Sequence, residues 1–160
     1  MISENLLELC KMTTKNFTLV LIFIVFTCGA SLAETTEEKR AKYVLSSMQQ
    51  DYITCYVFYK IGAEYIRKTE GDEKIVEGVE KSSDTSLKFA YETGELMNMK
   101  TEQMSSKVEL EMEAQLDLID NDFNKASILL EKYAQQCKSL IENKKQRISF
   151  WEEKAKIKFR

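Results

Sequence analysis

Residues 43–67 read YVLSSMQQDYITCYVFYKIGAEYIR, and this stretch decides the fold. Its apolar positions recur in steps of four and three, which is typical of an amphipathic helix of about 30 residues. The seam consists of Ala41, Leu45, Met48, Tyr52, Cys55, Tyr59, Gly62 and Ile66. Because Cys55 lies in the middle of this seam, we expect a central core helix against which the rest of the chain packs.

The same stretch is rich in tyrosine, and two interpretations follow. The residues concerned are Tyr52, Tyr56, Tyr59 and Tyr65. They either line a ligand pocket or form a buried or half-buried seam whose hydroxyl groups reach water. Their helical spacing favours the seam, so a functional surface is expected elsewhere.

The remaining chain also carries helical spacing. It contains no proline and only five glycines in 160 residues, a composition that favours long helices. Gly71 and Asp72 end the first helix and cap the second, which covers residues 73–98 and is either continuous or interrupted at residues 81–86 (KSSDTS).

The third predicted helix is long, because its apolar seam runs without a gap from Val108 to Leu140. A bend near residues 143–145 precedes a short amphipathic helix. We therefore predict an all-α fold, a bundle of three main helices plus a short C-terminal helix, in one domain over residues 34–160.

The N-terminus predicts export. Residues 17–29, FTLVLIFIVFTCG, are apolar, follow Lys11 and Lys15, and precede a small-x-small pattern at residues 31–33. We interpret residues 1–33 as a secretory signal peptide that starts at Met1 or Met12. The mature protein would then begin near Glu34 and be periplasmic or secreted.

Two alternatives to cleavage remain open. An uncleaved membrane anchor is disfavoured because the apolar run is shorter than the ~20 residues that span a bilayer. Lipidation of Cys28 is disfavoured because Phe26 and Thr27 are not the small residues usual before a lipidated cysteine.

Signal cleavage would remove Cys10 and Cys28 and leave Cys55 and Cys137. Two cysteines in an oxidising compartment most simply form one disulfide, here between the first and third predicted helices. The closed loop is long, so the bond should add about 4–5 kcal/mol of stability. A redox-active pair is the disfavoured alternative, because neither cysteine belongs to a C-x-x-C motif or an α/β pattern.

Several kinds of chemistry are excluded. The chain has no histidine, which removes c-type haem attachment, histidine-ligated haem, zinc enzymes and Ser-His-Asp triads. No glycine-rich phosphate loop or nucleophile elbow occurs either. We therefore expect no cofactor and no enzymatic activity. The net charge of −3 also makes nucleic acid an unexpected partner.

Two acidic patterns are weighed against a solvated helix face. Asp120, Asp122, Asn124 and Glu131 have the spacing of a calcium-binding EF-hand loop, but Lys125 replaces its central glycine. The apolar seam also continues through this segment and predicts helix there. Glu109 and Glu113 could serve as acid and base in an envelope hydrolase, which is the alternative to a non-enzymatic role.

The C-terminal segment is basic and aromatic. Its candidate surface-binding residues are Lys144, Lys145, Arg147, Trp151, Lys154 and Lys158. They could attach the protein to an anionic membrane surface. The favoured interpretation is that Ile148, Trp151 and Ala155 dock on the bundle while the lysines stay solvated.

Three patches resemble a family of small exported helical proteins of proteobacteria and their phages. They are Cys55-Tyr56-x-x-Tyr59-Lys60-Ile61 with Ala63-Glu64, Tyr133-Ala134-x-x-Cys137-Lys138-x-Leu140, and Arg147-x-x-x-Trp151. The family often has proline where this chain has Lys144. The resemblance implies a signal peptide, a helical fold and a cysteine pair, but no activity. We expect a binding or structural role in the bacterial envelope with an unknown protein or envelope partner.

Overall fold

The computed structural model describes residues 34–69 and 71–160, and in these residues all regular structure is helical. The helices are α1 (Thr36–Thr69), α2 (Glu73–Leu96), α3 (Thr101–Leu118), α4 (Ser127–Glu142) and α5 (Lys144–Lys158), with a 3₁₀ turn at Phe123–Lys125. The all-α prediction is confirmed. The count of three main helices and one short helix is not confirmed. The predicted signal peptide, residues 1–33, lies outside the described residues.

α1 is the central helix. It begins with a reciprocal cap, in which Thr35 Oγ1 accepts the Glu38 N–H at 3.2 Å and Glu38 Oε2 accepts the Thr35 N–H at 2.7 Å. The Thr35 N–H, and the Thr35 hydroxyl that donates to the same carboxylate oxygen at 3.0 Å, lower the pKa of Glu38. Further along, residues 51–55 are all buried, which means that α1 is covered around its whole circumference. The prediction of a central core helix is confirmed.

α2, α4 and α5 run antiparallel to α1. Along α2, the Ser83 hydroxyl donates to the Tyr56 carbonyl, and further along α1 Arg67 pairs with Glu80, an earlier residue of α2. For α4 and α5 as well, the residue number of the partner decreases as the residue number in α1 increases. The pairs are Arg40 with Phe159, Asp51 with Arg147, Cys55 with Cys137 and Phe58 with Tyr133. α4 and α5 therefore cover successive lengths of α1.

α3 runs parallel to α1. Lys107 contacts Gln49 and Gln115 contacts Thr54, so the residue numbers increase in the same direction along both helices. In α3 itself only Met104 and Gln115 are fully buried, and Val108, Met112 and Leu116 pack against the core while staying partly exposed.

α2 is uninterrupted across residues 81–86. Gly71 takes a positive φ of 66°, and the Asp72 side chain caps the helix by accepting the N–H groups of Lys74 and Ile75, as predicted. Within the hydroxyl-rich segment the side chains bond back to carbonyls one turn earlier, as Ser86 does to Ser82 at 2.9 Å, so their hydroxyl groups are satisfied without interrupting the helix.

The prediction of one long helix from Val108 to Leu140 is wrong. α3 ends at Leu118, and both Asp120 and Asn121 adopt positive φ values of 52° and 56°. Aspartate and asparagine tolerate this conformation better than most residues. The apolar spacing continued through the break because the turn is itself packed inside, with Ile119 and Ala126 buried.

The predicted disulfide pair is confirmed in position. The sulfur atoms of Cys55 and Cys137 lie 2.06 Å apart, the Cα atoms are 5.3 Å apart, and both residues are fully buried. They belong to the main core cluster. That cluster comprises Met48, Tyr52, Ile53, Cys55, Val57, Phe58, Ile61, Ala90, Ile119, Leu129, Cys137 and Leu140.

Candidate functional site

The buried carboxylate of Asp51, a residue of α1, lies beside the junction between α4 and α5. The Asp51 cluster consists of Asp51, Gln136, Arg147 and Trp151. Asp51 precedes Cys55 by one helical turn, so it shares the face of α1 that meets α4. Asn143 caps α5, where its side chain accepts the Gln146 N–H at 3.3 Å. Arg147 and Trp151 are four residues apart in α5 and therefore extend from one face.

The three partners saturate the carboxylate. Oδ1 accepts Gln136 Nε2 at 2.9 Å and Arg147 Nη2 at 2.8 Å. Oδ2 accepts Arg147 Nε at 2.6 Å and Trp151 Nε1 at 2.6 Å. Each oxygen thus accepts two bonds, which is the full capacity of an ionised carboxylate. The Asp51 side chain is only 7% exposed, compared with 20% for Arg147.

This arrangement suits anchoring better than proton transfer or metal binding. No lone pair of Asp51 is left for a metal ion or a substrate proton, and the bidentate arginine neutralises its charge. Arg147 is further enclosed by rings, with its Cζ atom 4.7 Å from the Phe150 centroid and 5.0 Å from the Trp151 centroid. The cluster ties α5 to both α1 and α4.

A second polar cluster joins α1 to α3. The amide cluster consists of Gln49, Lys107, Glu111 and Gln115. Gln49 Oε1 accepts Lys107 Nζ at 2.9 Å, and Gln115 Nε2 donates to the Thr54 carbonyl at 2.9 Å and to Glu111 Oε1 at 2.8 Å. Both glutamines are fully buried, yet Gln115 Oε1 has no hydrogen-bond partner. This cluster is less completely satisfied than the Asp51 cluster.

Tyr52 is a buried titratable group between these clusters. It is 2% exposed, stacks on Phe89 with centroids 5.3 Å apart, and its hydroxyl has no hydrogen-bond partner. Burial, and secondarily the charges of Asp51 and Glu92, raise the pKa of Tyr52 to about 12. The hydroxyl therefore stays neutral at ordinary pH and is no candidate base.

The six predicted surface-binding residues divide into two groups. Arg147 and Trp151 turn inward to Asp51, whereas Lys144, Lys145, Lys154 and Lys158 are exposed. Lys144 Nζ lies 4.6 Å from the Phe89 centroid and Lys158 Nζ 4.4 Å from the Tyr43 centroid. The interpretation that Ile148, Trp151 and Ala155 dock on the fold is confirmed, since Ala155 is buried and the other two pack on the core.

The acidic candidates lie on exposed positions of α3 and the following turn. Glu109 and Glu113 are both exposed. The first part of the EF-hand-like segment is a turn and not the helix that we predicted, because the chain reverses at Asp120, whereas residues 127–131 are helical in α4. There Lys125 occupies the position of the EF-hand glycine, and its hydrogen bond lowers the pKa of Asp120. Within residues 34–69 and 71–160, no group of three acidic or cysteine side chains could hold a metal ion.

Two grooves flank α1. An apolar cavity of about 200 Å³ lies between α1 and the start of α4, lined by Phe58, Ile61, Gly62, Tyr65, Ile66, Ala126, Leu129 and Leu130. A wider groove of about 590 Å³ lies between the N-terminal turns of α1 and the C-terminal half of α5. Tyr56, Tyr59 and Tyr65 are half-buried, which agrees with the predicted seam.

Asp51 and Gln136 were not among the residues predicted from the sequence. A usable signal was present, because an aspartate one turn before a core cysteine must find a partner. The Arg147-x-x-x-Trp151 spacing places two donors on one helical face and could have supplied that partner. Gln115 carried no comparable signal.

Comparison with protein-family models, with curated proteins and with solved structures gave no match. No helix within the described part of the chain combines the length and the apolar character needed to cross a membrane. The proposals below therefore rest on the residues themselves.

Proposed function

We propose that this chain is an exported, disulfide-linked helical-bundle protein with a non-enzymatic binding or structural role in the bacterial envelope. The observation that carries the proposal is the fully buried pair of Cys55 and Cys137, with sulfur atoms 2.06 Å apart. Such a bond persists in oxidising compartments and is rare in the reducing cytosol. The apolar segment at residues 17–29 and its small-x-small end supply the export signal.

The polar core supports a role without catalysis. Asp51 is the buried carboxylate of the described residues, and all of its acceptor positions are used, three by Arg147 and Trp151 of α5 and one by Gln136 of α4. Most glycoside hydrolases need two carboxylates that flank the scissile bond in one cleft. Glu109 and Glu113 are exposed on a helix surface, which favours the non-enzymatic proposal.

Expression in a bacterium with a periplasm, followed by fractionation and intact-mass analysis, tests this proposal. We expect a periplasmic product that begins near Glu34 and resists thiol alkylation until it is reduced. A Cys55→Ala/Cys137→Ala variant is the control, and its N-terminus should be cleaved at the same place. An unprocessed cytoplasmic chain whose cysteines alkylate without reduction would contradict the proposal.

A further inference from the structure

α5 has an inner and an outer face. Its inner face is already used, since Arg147, Ile148, Trp151 and Ala155 contact the rest of the fold. The outer face, defined here as Lys145, Phe150, Lys154, Lys156 and Ile157, is exposed, although one side of the Phe150 ring contacts Arg147 and Trp151. Among these residues Phe150 is 40% exposed and Ile157 is 61% exposed.

The outer face places two apolar side chains among lysines. Phe150, Lys154 and Ile157 follow each other at helical spacing and form one row. Lys154 Nζ lies 5.5 Å from the Phe150 centroid, so the charge and the ring are presented together. Lys145 and Lys156 lie further around the exposed side of the helix, roughly 100–140° from Phe150 and Ile157, with Glu153 between them and the row.

Acidic residues do not cancel this charge. Two exposed carboxylates, Glu152 and Glu153, accompany the lysines, and Glu152 lines the groove between α5 and α1 together with Lys156. Arg147 is neutralised by Asp51 and adds nothing to the outer face. The three exposed ammonium groups of Lys145, Lys154 and Lys156 therefore outnumber these two carboxylates by one.

The outer face is also preformed. Because the Asp51 cluster fixes α5 against α1 and α4, the helix does not have to fold on binding, which lowers the entropic cost of binding. Surface helices that combine lysines with exposed aromatic and aliphatic side chains bind at the interface of anionic bilayers.

We propose that the outer face of α5 binds the surface of a bilayer that contains anionic phospholipid. The lysine ammonium groups contact lipid phosphates, and Phe150 and Ile157 enter the boundary between headgroups and acyl chains. An acidic protein would complement the lysines, but the two exposed apolar side chains favour lipid. The inference deepens the proposed function and rests on it only for bringing the protein to an envelope membrane.

Vesicle flotation tests the lysines. Phosphatidylglycerol/phosphatidylethanolamine vesicles should carry the processed protein, and phosphatidylcholine vesicles should not. Lys145→Gln/Lys154→Gln/Lys156→Gln should reduce the partition coefficient by at least about tenfold at low salt. The matched control Lys60→Gln/Lys74→Gln/Lys81→Gln makes the same charge change at exposed positions of α1 and α2, and should stay within about twofold of the parent.

A gain of binding separates this surface from general damage to the fold. Glu153→Gln removes an acid next to the row and should raise the partition coefficient about threefold or more. Glu77→Gln, the same change on α2, should leave the partition coefficient unchanged. Phe150→Ser/Ile157→Ser should abolish the part of the binding that survives high salt. Each variant is compared with the parent in the same processed form, and circular dichroism checks its fold.

The proposal is overturned if both lysine triples lower binding equally or if neutral vesicles bind as well as anionic ones. It is also overturned if Phe150→Ser/Ile157→Ser leaves salt-resistant binding unchanged, a result that would indicate an acidic protein partner. These outcomes are distinct from the export test, because flotation can fail for a correctly processed, disulfide-linked chain.

Discussion

The two polar clusters beside α1 satisfy their buried groups to different degrees. The Asp51 cluster is charged, joins three helices, and fills every acceptor position of the carboxylate. The amide cluster is built on two glutamines, joins α1 to α3, and leaves Gln115 Oε1 unpartnered. A buried charge must be fully paired, whereas a neutral amide can be left partly paired at modest cost. The α4–α5 side should therefore resist disruption more strongly than the α3 side.

The largest effect is expected from the disulfide on the α4–α5 side. The bond links residues 82 positions apart, so Cys55→Ala/Cys137→Ala should lower the free energy of unfolding by about 4–5 kcal/mol. Urea unfolding with and without reductant measures this loss. Reductant should shift the curve of the parent and leave that of the double variant in place. A parent curve that ignores reductant would show that the bond is absent.

The next largest effect concerns the charged cluster. Asp51→Asn leaves Arg147 without its counter-charge, and we expect a loss of about 3 kcal/mol in the free energy of unfolding. Glu111→Gln in the amide cluster is the matched carboxylate-to-amide control and should cost less than about 1 kcal/mol. Equal losses in urea unfolding would remove the distinction between the clusters.

Tyr52 is less satisfied than either cluster, because its buried hydroxyl has no hydrogen-bond partner. Its pKa is raised to about 12, so the folded protein keeps the phenolic proton after the unfolded chain has lost it. The resulting stabilisation is complete below pH 10 and is lost as the pH rises from about 10 to 12, by roughly 2 kcal/mol. Urea unfolding across this range should show the decline in the parent and a smaller one in Tyr52→Phe. If the free energy of unfolding declines equally in the parent and in Tyr52→Phe, the pH dependence arises from groups other than Tyr52.

A smaller effect is expected where α2 meets the amide cluster. A Cβ atom at Gly94 would overlap Met104 Sδ and lie 2.6 Å from Gln49 Nε2, so Gly94→Ala should destabilise by about 1–2 kcal/mol. Gly78 lies in the same helix with nothing within 4 Å of an added Cβ. There the alanine should instead stabilise by about 0.5–1 kcal/mol. Thermal unfolding of both variants measures the difference, and a change of the same sign would contradict the close approach at Gly94.

The sequence predicted those features that depend on local pattern. The helical class, the central position of residues 43–67, the Gly71–Asp72 cap and the cysteine pair all follow from spacing or composition. The break between α3 and α4 could not be read in this way, because Ile119 and Ala126 keep the apolar spacing although they pack in a turn.

The polar core escaped prediction for another reason. Asp51 finds its partners 85 to 100 positions later in the chain, and although each side of the contact left a signal, no spacing rule pairs residues so far apart. The inner face of α5 was predicted in part, since Ile148, Trp151 and Ala155 were expected to dock on the bundle. The inward position of Arg147 was not predicted, because it depends on Asp51.

The central claim is that Asp51 holds α5 in place, and Trp151 reports on it directly. The chain has a single tryptophan, so the indole N–H gives one signal in a nitrogen–proton correlation spectrum. Because Trp151 Nε1 donates to Asp51 at 2.6 Å, we expect this proton to exchange slowly with deuterated solvent. It should exchange much faster in Asp51→Asn, and no faster in Glu111→Gln. Rapid indole exchange in the parent, at the rate of an exposed tryptophan, would contradict the claim.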